Sequence, residues 1–285
     1  LAHGDTKSSV LLWGGFQADL RLVPRESVGA ALQYFTGSKP HNIALRDRAI
    51  RRGLKLNEYG LFRNDDGQPV AGHSEEEIYR ALELAYIPPE LRENRGEIEA
   101  AERGALPRLL TLADLRGDLH MHTTASDGRA DAETMAIAAR AAGLSYIAIT
   151  DHSQALAMAN GLDERRTLEH ARRVRELNDR LDGITVLAGI ECDIKADGTM
   201  DLAHDCLAEL DIVIASVHSA FAQEEGEMTD RILRAIECPY VDVLGHPTGR
   251  RILKREGYRV NFDRLTEAAA AAGVAVEINC QIERL

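Results

Sequence analysis

No apolar run among the 285 residues approaches the ~20 that a membrane span needs. The first ten residues, "LAHGDTKSSV", lack the basic, apolar and small-residue zones of a secretory signal. They also lack an initiating Met, so the natural N-terminus is expected upstream. Cysteine is sparse: Cys192, Cys206, Cys238 and Cys280 stand far apart. That spacing excludes a thiolate zinc site and a disulfide framework, and it predicts reduced, mostly buried thiols and a cytoplasmic location. Repeats and low-complexity tracts are missing too. What remains is globular composition, 45% hydrophobic and 28% charged, enough for one large domain or two smaller ones.

The net charge of −12 is uneven. Residues 1–63 hold 10 Lys and Arg against 5 Asp and Glu, whereas the remaining 222 hold 24 against 41. A basic segment on an acidic chain leaves a nucleic-acid partner open, although charge alone favours a solvated helix face.

In the first third, "FQADLRLV" (16–23) alternates as a strand does, "ESVGAALQYF" (26–35) has helical spacing, and "TGSKPHN" (36–42) reads as a turn. "NIALRDRAIRR" (42–52) reads as a helix ended by Gly53, and "LKLNEYGLF" (54–62) as one strand before a turn at 64–68. "SEEEIYRALEL" (74–84) opens with Ser74 and Glu77 at capping spacing. Prolines 88, 89 and 107 in a densely charged stretch mark a border. The expected domains are 1–86, a linker at 87–114, and 115–285.

From residue 115 short apolar strands alternate with helical stretches. Strands are expected at 117–123, 144–152, 184–191, 211–218, 241–246 and 274–279, with helices near 131–142, 163–181, 202–209, 228–237 and 261–272. Such alternation implies βαβ units and a parallel sheet buried on both faces. Six strands point to an α/β barrel of the TIM style, incomplete.

The polar residues fall at the strand ends: His120 and His122, Asp151 and His152, Glu191, His218, His246, then Glu277 or Asn279. Parallel strands direct their C-terminal ends to one face, where barrel enzymes do chemistry. His120 and His122 share a side by the two-residue strand period. Asp127, in the turn "SDG", can fold back over them. Any one of these residues has a bland explanation. A lone histidine is usually a hydrogen-bonded structural residue, Asp151 can orient His152, and Glu191 can serve a helix cap. Yet five of the ten histidines occupy such ends, which accident explains poorly. Mixed imidazole and carboxylate ligands suit Zn²⁺, Mn²⁺ or Fe²⁺, not Ca²⁺. Two or three neighbouring ions would clamp a phosphoryl group and acidify water, so phosphoester hydrolysis leads and an amidohydrolase or deacetylase remains open.

The stretches "DLHMHTTASDG", "AITDHS", "AGIECDI", "ASVHS" and "LGHPTGR" resemble the motifs of the PHP (polymerase and histidinol phosphatase) domain. "QADLRLVPRESVGAALQYFTGSKPHNIALRDRAIRRGLKLNEYGLF" resembles the palm and fingers-type subdomains of family X DNA polymerases. Together they resemble bacterial family X polymerases that carry a PHP domain, over essentially the whole chain. The resemblance implies a distorted TIM-like (β/α)7 barrel, incomplete at its C-terminus, behind a small α+β polymerase subdomain. It implies a site for up to three ions, Mn²⁺ or Zn²⁺, with His120, His122, Asp127, His152, Glu191, His218 and His246 as ligands. His120, His122 and Glu191 are its catalytic centre, and Asp118 and Asp151 support it. The family adds an Asp-x-His pair after a further strand, and Leu285 precedes that point. A C-terminal truncation and weak or no activity are therefore expected.

For the polymerase part the resemblance implies Asp19 as a carboxylate for Mg²⁺ or Mn²⁺, its two companions lying before residue 1. It places Arg21, Tyr34, Phe35, Thr36, Gly37, Ser38, Asn42 and Arg46 beside nucleotide and DNA. Without the resemblance, core packing is the better reading of Tyr34 and Phe35. The implied enzyme is a gap-filling repair polymerase acting on gapped or 3′-ended DNA and dNTP, with a PHP 3′-5′ exonuclease. No membrane and no protein partner are evident. The alternatives are a stand-alone PHP phosphatase of a small ester such as histidinol phosphate, and a non-catalytic PHP domain that steadies a polymerase.

Overall fold

A computed structural model describes residues 3–284. Contacts divide the chain into two units, residues 1–109 and 110–285. Among the described residues no helix is long and apolar enough to cross a membrane.

The first unit begins with an antiparallel hairpin of β1 (Lys7–Leu11) and β2 (Gln17–Arg21). Helices α1 (Val28–Thr36) and α2 (Lys39–Arg51) follow, then strands β3 (Leu54–Asn57), β4 (Gly60–Arg63) and β5 (Pro69–Ala71), and helices α3 (Glu75–Ala81) and α4 (Glu97–Glu102). The expected single strand over 54–62 is a hairpin instead. Asn57 turns the chain by accepting a hydrogen bond from the Tyr59 N–H at 2.9 Å, and β3 pairs antiparallel with β4. The expected turn at 36–42 is shortened, because Ser38 caps α2 through the His41 N–H and Pro40 suits its first turn. Ser74 caps α3 by accepting from the Glu77 N–H at 3.3 Å, as the sequence predicts.

The stretch 87–114 is not a free linker along its length. Ile87, Ile98 and Ala101 are buried in the first unit's core beside Leu45, Leu61 and Tyr79. Dense charge around these three apolar anchors conceals them in the sequence.

The second unit alternates strand and helix: β6 (Gly117–Met121), α5 (Ala132–Ala141), β7 (Tyr146–Ile149), α6 (Glu164–Leu177), β8 (Thr185–Asp193), α7 (His204–Leu207), β9 (Ile212–Ser216), α8 (Glu225–Ile236), β10 (Val243–Leu244), α9 (Phe262–Ala272) and β11 (Ala275–Val276). All six expected strands form, parallel and in chain order from β6 to β11. Asp131, Asp163 and Asn261 cap α5, α6 and α9 through side-chain oxygens, each cap stabilising by about 1 kcal/mol. Ile147 to Ile149 in β7 and all of β9 are buried, as strands covered on both faces must be.

The sheet is an open, curled half-barrel, since β6 and β11 are its two edges. The curl still brings those edges together at their C-terminal ends, where His120 meets Glu277, one residue past β11, at 2.7 Å.

Candidate metal centre

Glu191 is the hub. It lies at the end of β8, 1% exposed, and five imidazoles approach its two oxygens. His152 Nδ1 and His246 Nε2 lie at 2.9 Å, His122 Nε2 and His218 Nε2 at 3.2 Å, and His120 Nε2 at 3.3 Å. The histidines come from β6 and its end and from the loops after β7, β9 and β10, while β8 carries Glu191 itself, so every parallel strand but the last contributes. The ladder from β6 to β7 is irregular between Asp118 and Met121, around His120, and such irregularities re-aim side chains.

Asp127 joins from the loop after β6, 2.9 Å from His122 Nδ1 and 3.6 Å from His152 Nε2. The loop is tight at Gly128, where a Cβ would stand 2.1 Å from the His122 carbonyl. Three overlapping groups have ligand atoms within 4.8 Å of one another: His120, His122 and Glu191; His122, Asp127 and His152; His152, Glu191 and His218. Sharing of His122, His152 and Glu191 makes this one cluster.

Unpartnered atoms test whether ions fit here. His122 Nε2, His152 Nδ1 and His246 Nδ1 are buried without a hydrogen bond. The first two stand within ion-pair distance of Glu191 but outside hydrogen-bond geometry. A carboxylate offers about four lone-pair directions, fewer than the five nitrogens around it. Buried polar groups are rarely left unsatisfied, and those of His122 and His152 belong to residues whose ligand atoms converge. The residues fit divalent ions.

The electrostatics agree. Burial alone would lift the Glu191 pKa, yet the surrounding imidazoles hold it well below the usual carboxylate range. Burial also works against a charged His120, but Glu191 and Glu277 outweigh it and raise the pKa to about 10. His218 is raised to about 9 in the same way, against burial, by Asp193 and Glu191. His246 moves the other way, because its burial dominates.

Two further carboxylates hold ligand rings. Asp193 Oδ1 lies 2.6 Å from His218 Nδ1. Glu277 contacts His120 Nδ1 and accepts from the His246 N–H at 2.6 Å. Between Glu277 and Asn279, Glu277 is therefore the one at the site, and Asn279 donates to it at 3.2 Å. Sequence reasoning missed Asp193, although it stands two residues after Glu191 on one strand and so shares its side. It also missed His170, inside α6, which no local signal distinguishes.

Asp151 does not orient His152. Fully buried, it accepts from the Thr123 N–H and hydroxyl at 2.8 Å, from Ser126, and contacts His170 Nε2 at 2.9 Å. It thereby pins the loop that carries Asp127. Asp118 is exposed and accepts from the His120 N–H at 3.1 Å. Cys192, Cys206 and Cys238 are buried and free. Burial pushes the Cys192 thiol up to about 12, which fits no ligand role.

The polymerase-type residues of the first unit form no such cluster. Asp19 is paired with Lys7 at 3.1 Å; Ser9, Gln17 and Lys7 beside it hold its carboxyl well below the usual range. Among the described residues no group of three metal-ligand side chains includes it. Tyr34 and Phe35 are exposed rather than core-packed, meet edge to face at 5.1 Å, and Arg21 lies 5.0 Å over the Phe35 ring. Thr36 ends α1, Gly37 follows with φ of 75°, and Ser38 caps α2. Asn42 is tied to the Tyr34 carbonyl at 2.8 Å, and Arg46 is exposed one turn further along α2.

Residues 118–281 match the family model of the PHP domain, and residues 31–93 match that of the DNA polymerase beta thumb. The chain belongs to the PHP family, with a polymerase-beta-type thumb ahead of the PHP domain. Residues 31–93 thus match a thumb, where the resemblance in the sequence suggested palm and fingers-type segments. The chain is 42% identical over its whole length to "DNA polymerase/3′-5′ exonuclease PolX" of Bacillus subtilis, covering 50% of that protein. It is 34% identical to "Probable phosphatase TTE1963" of Caldanaerobacter subterraneus, over 57% of this chain and 61% of that one. The chain therefore spans half to three-fifths of the length of these relatives. A crystal structure of Leishmania infantum polymerase beta in a ternary complex is 35% identical over 27% of this chain and 36% of its own, with a TM-score of 0.24.

Proposed function

We propose that the second unit is a metal-dependent phosphodiesterase that removes nucleotides from DNA 3′ ends, within a family X repair polymerase. The observation that carries this reading is the convergence of five histidines on Glu191, with three of their buried nitrogens making no hydrogen bond. The thumb match ahead of the PHP domain, and the identity to a protein named polymerase and 3′-5′ exonuclease, support DNA as the substrate.

His120, His122, Asp127, His152, Glu191, His218 and His246 would hold up to three ions, Mn²⁺ or Zn²⁺. When bound, such ions neutralise charge on a transferring phosphoryl group and acidify water near neutral pH. Glu191 stays ionised and centres the cluster. Asp193 and Glu277 fix the rings of His218 and His120, as partners of ligand histidines do. Asp151 fixes the loop that presents Asp127.

In the first unit we assign Asp19 to a Mg²⁺ or Mn²⁺ position of the polymerase, and Arg21, Tyr34, Phe35, Thr36, Gly37, Ser38, Asn42 and Arg46 to its nucleotide and gapped-DNA surface. The domain reading is 1–86 polymerase, 87–114 connection and 115–285 PHP, in a cytoplasmic, nucleoid-associated bacterial enzyme.

The test is Mn²⁺-loaded chain, alone and joined to whatever continuation its reading frame carries, on a 5′-labelled oligonucleotide. Stepwise shortening from the 3′ end, lost in His120→Ala, is expected. Equal behaviour of the two proteins contradicts the proposal. The relatives named as phosphatases favour a second reading: release of phosphate from histidinol phosphate, with the oligonucleotide left intact, would establish it.

A further inference from the structure

The stretch after His246, "PTGRRILKRE" (247–256), places four cations in six residues: Arg250, Arg251, Lys254 and Arg255. The chain that carries them is acidic overall, at −12. The stretch forms a small closed loop rooted at the metal centre. The Gly249 N–H donates to the His246 carbonyl at 2.8 Å, and the Tyr258 N–H to the Thr248 carbonyl at 3.0 Å. Arg251 and Arg255 pair across the stem through both backbone N–H groups at 2.8 Å. Arg250 lies four positions after His246, so their Cα atoms are at most about 14 Å apart.

The four cations are held differently. Arg255 is structural: it donates to the Gly249 carbonyl at 2.7 Å and lies 3.8 Å over the Phe221 ring. Arg251 and Lys254 both grip Glu283, yet their side chains remain 43% and 55% exposed. Arg250 is exposed, and among the described residues its side chain makes one long hydrogen bond, 3.4 Å to the Arg284 carbonyl. At the tip Leu253 is 95% exposed with φ of 60°, and Ile252 is 39% exposed. Core packing accounts for neither apolar side chain.

We propose that this loop is a nucleic-acid subsite, in which Arg250, Arg251 and Lys254 take phosphates next to the one at the metal centre and Leu253 lies against a base. The ligand class is single-stranded DNA. Lys and Arg neutralise phosphates irrespective of sequence, and apolar side chains such as Leu insert at base steps. The loop's position one turn of chain from His246 puts it along a strand whose end reaches the cluster. The proposal rests on the phosphodiesterase reading for its substrate.

Binding of a fluorescein-labelled single-stranded oligonucleotide to the chain in EDTA, across a salt series, isolates the loop from hydrolysis. Arg250→Ala with Lys254→Ala should weaken binding about tenfold and lower the slope of log affinity against log salt by about 1.4, at ~0.7 per phosphate contact. Arg250→Ala alone, which breaks no ion pair among the described residues, should lower the slope by about 0.7. Glu283→Gln should tighten binding, because it frees Arg251 and Lys254; a purely structural role for the loop predicts no gain. Leu253→Ser should weaken binding to the normal oligonucleotide and leave an abasic-ended one unaffected. Affinity and slope unchanged in the first two variants, with thermal unfolding also unchanged, overturn the proposal. Binding that follows these shifts without any cleavage in Mn²⁺ overturns the phosphodiesterase reading and leaves the subsite standing.

Discussion

The molecule contains two buried histidine environments that look alike by burial and differ in what their nitrogens do. In the first unit His41 is wholly buried, with Nδ1 2.6 Å from Glu97 and Nε2 2.9 Å from the Tyr79 hydroxyl. Both nitrogens have partners, and Glu97 also accepts from the Asn94 and Arg95 N–H groups. In the second unit five histidines surround one glutamate, and three of their buried nitrogens make no hydrogen bond. A satisfied network holds a core together. An unsatisfied one, built from ligand-type side chains on convergent strand ends, is arranged for something absent from the polypeptide. Burial therefore does not mark function here; the unpartnered lone pair does.

The sharpest way to break this contrast is Glu191→Gln. It should lower divalent-metal affinity by more than about 100-fold, beyond the range seen for residues that only orient ligands, as read by metal content after dialysis. His41→Ala should do the opposite: it should cost about 2–3 kcal/mol in denaturant unfolding by leaving Glu97 without its imidazole, with no change in metal content. Asp193→Asn, which releases the His218 ring, should reduce metal affinity about 10- to 100-fold. The smallest effect is on pH. Without metal, Glu191 and Glu277 raise the His120 pKa from the ordinary 6.5 to about 10 in the folded chain, so its stabilising contribution is complete below 6.5 and fades as pH rises towards 10. Thermal unfolding of the metal-free chain should accordingly drop across that range. Metal affinity should rise over the same range, since binding must displace that proton. A metal-free protein that grows steadily more stable from neutral pH to pH 10 would oppose the assignment of Glu191 and Glu277 as the partners of His120.

Much of the second unit was legible because each of its strands is a short apolar run closed by a polar residue, and parallel order follows from alternation alone. The incomplete barrel was legible from the six strands, whereas the curl that brings Glu277 to His120 was not, because curvature leaves no mark in the pattern. Asp193 went unnoticed although it obeys the same two-residue alternation that united His120 and His122. His170 could not be found, because a polar residue within an amphipathic helix gives no sign that it turns inward to Asp151. In the first unit, "NEYG" was absorbed into one strand, since Asn57 can end a strand or continue it. Ile87, Ile98 and Ala101 were hidden by prolines and charge. Tyr34 and Phe35 were read by bare pattern as core and are exposed, because helix spacing alone does not reveal which face is covered.

The central claim is that the strand ends build one shared multi-ion site around Glu191. Electron paramagnetic resonance of the chain titrated with Mn²⁺ tests it most directly. More than one tightly held ion per chain, with the broadened signal of spin-coupled neighbours that Glu191→Gln removes, is the predicted result. A single isolated Mn²⁺ signal that Glu191→Gln leaves unchanged would contradict the account.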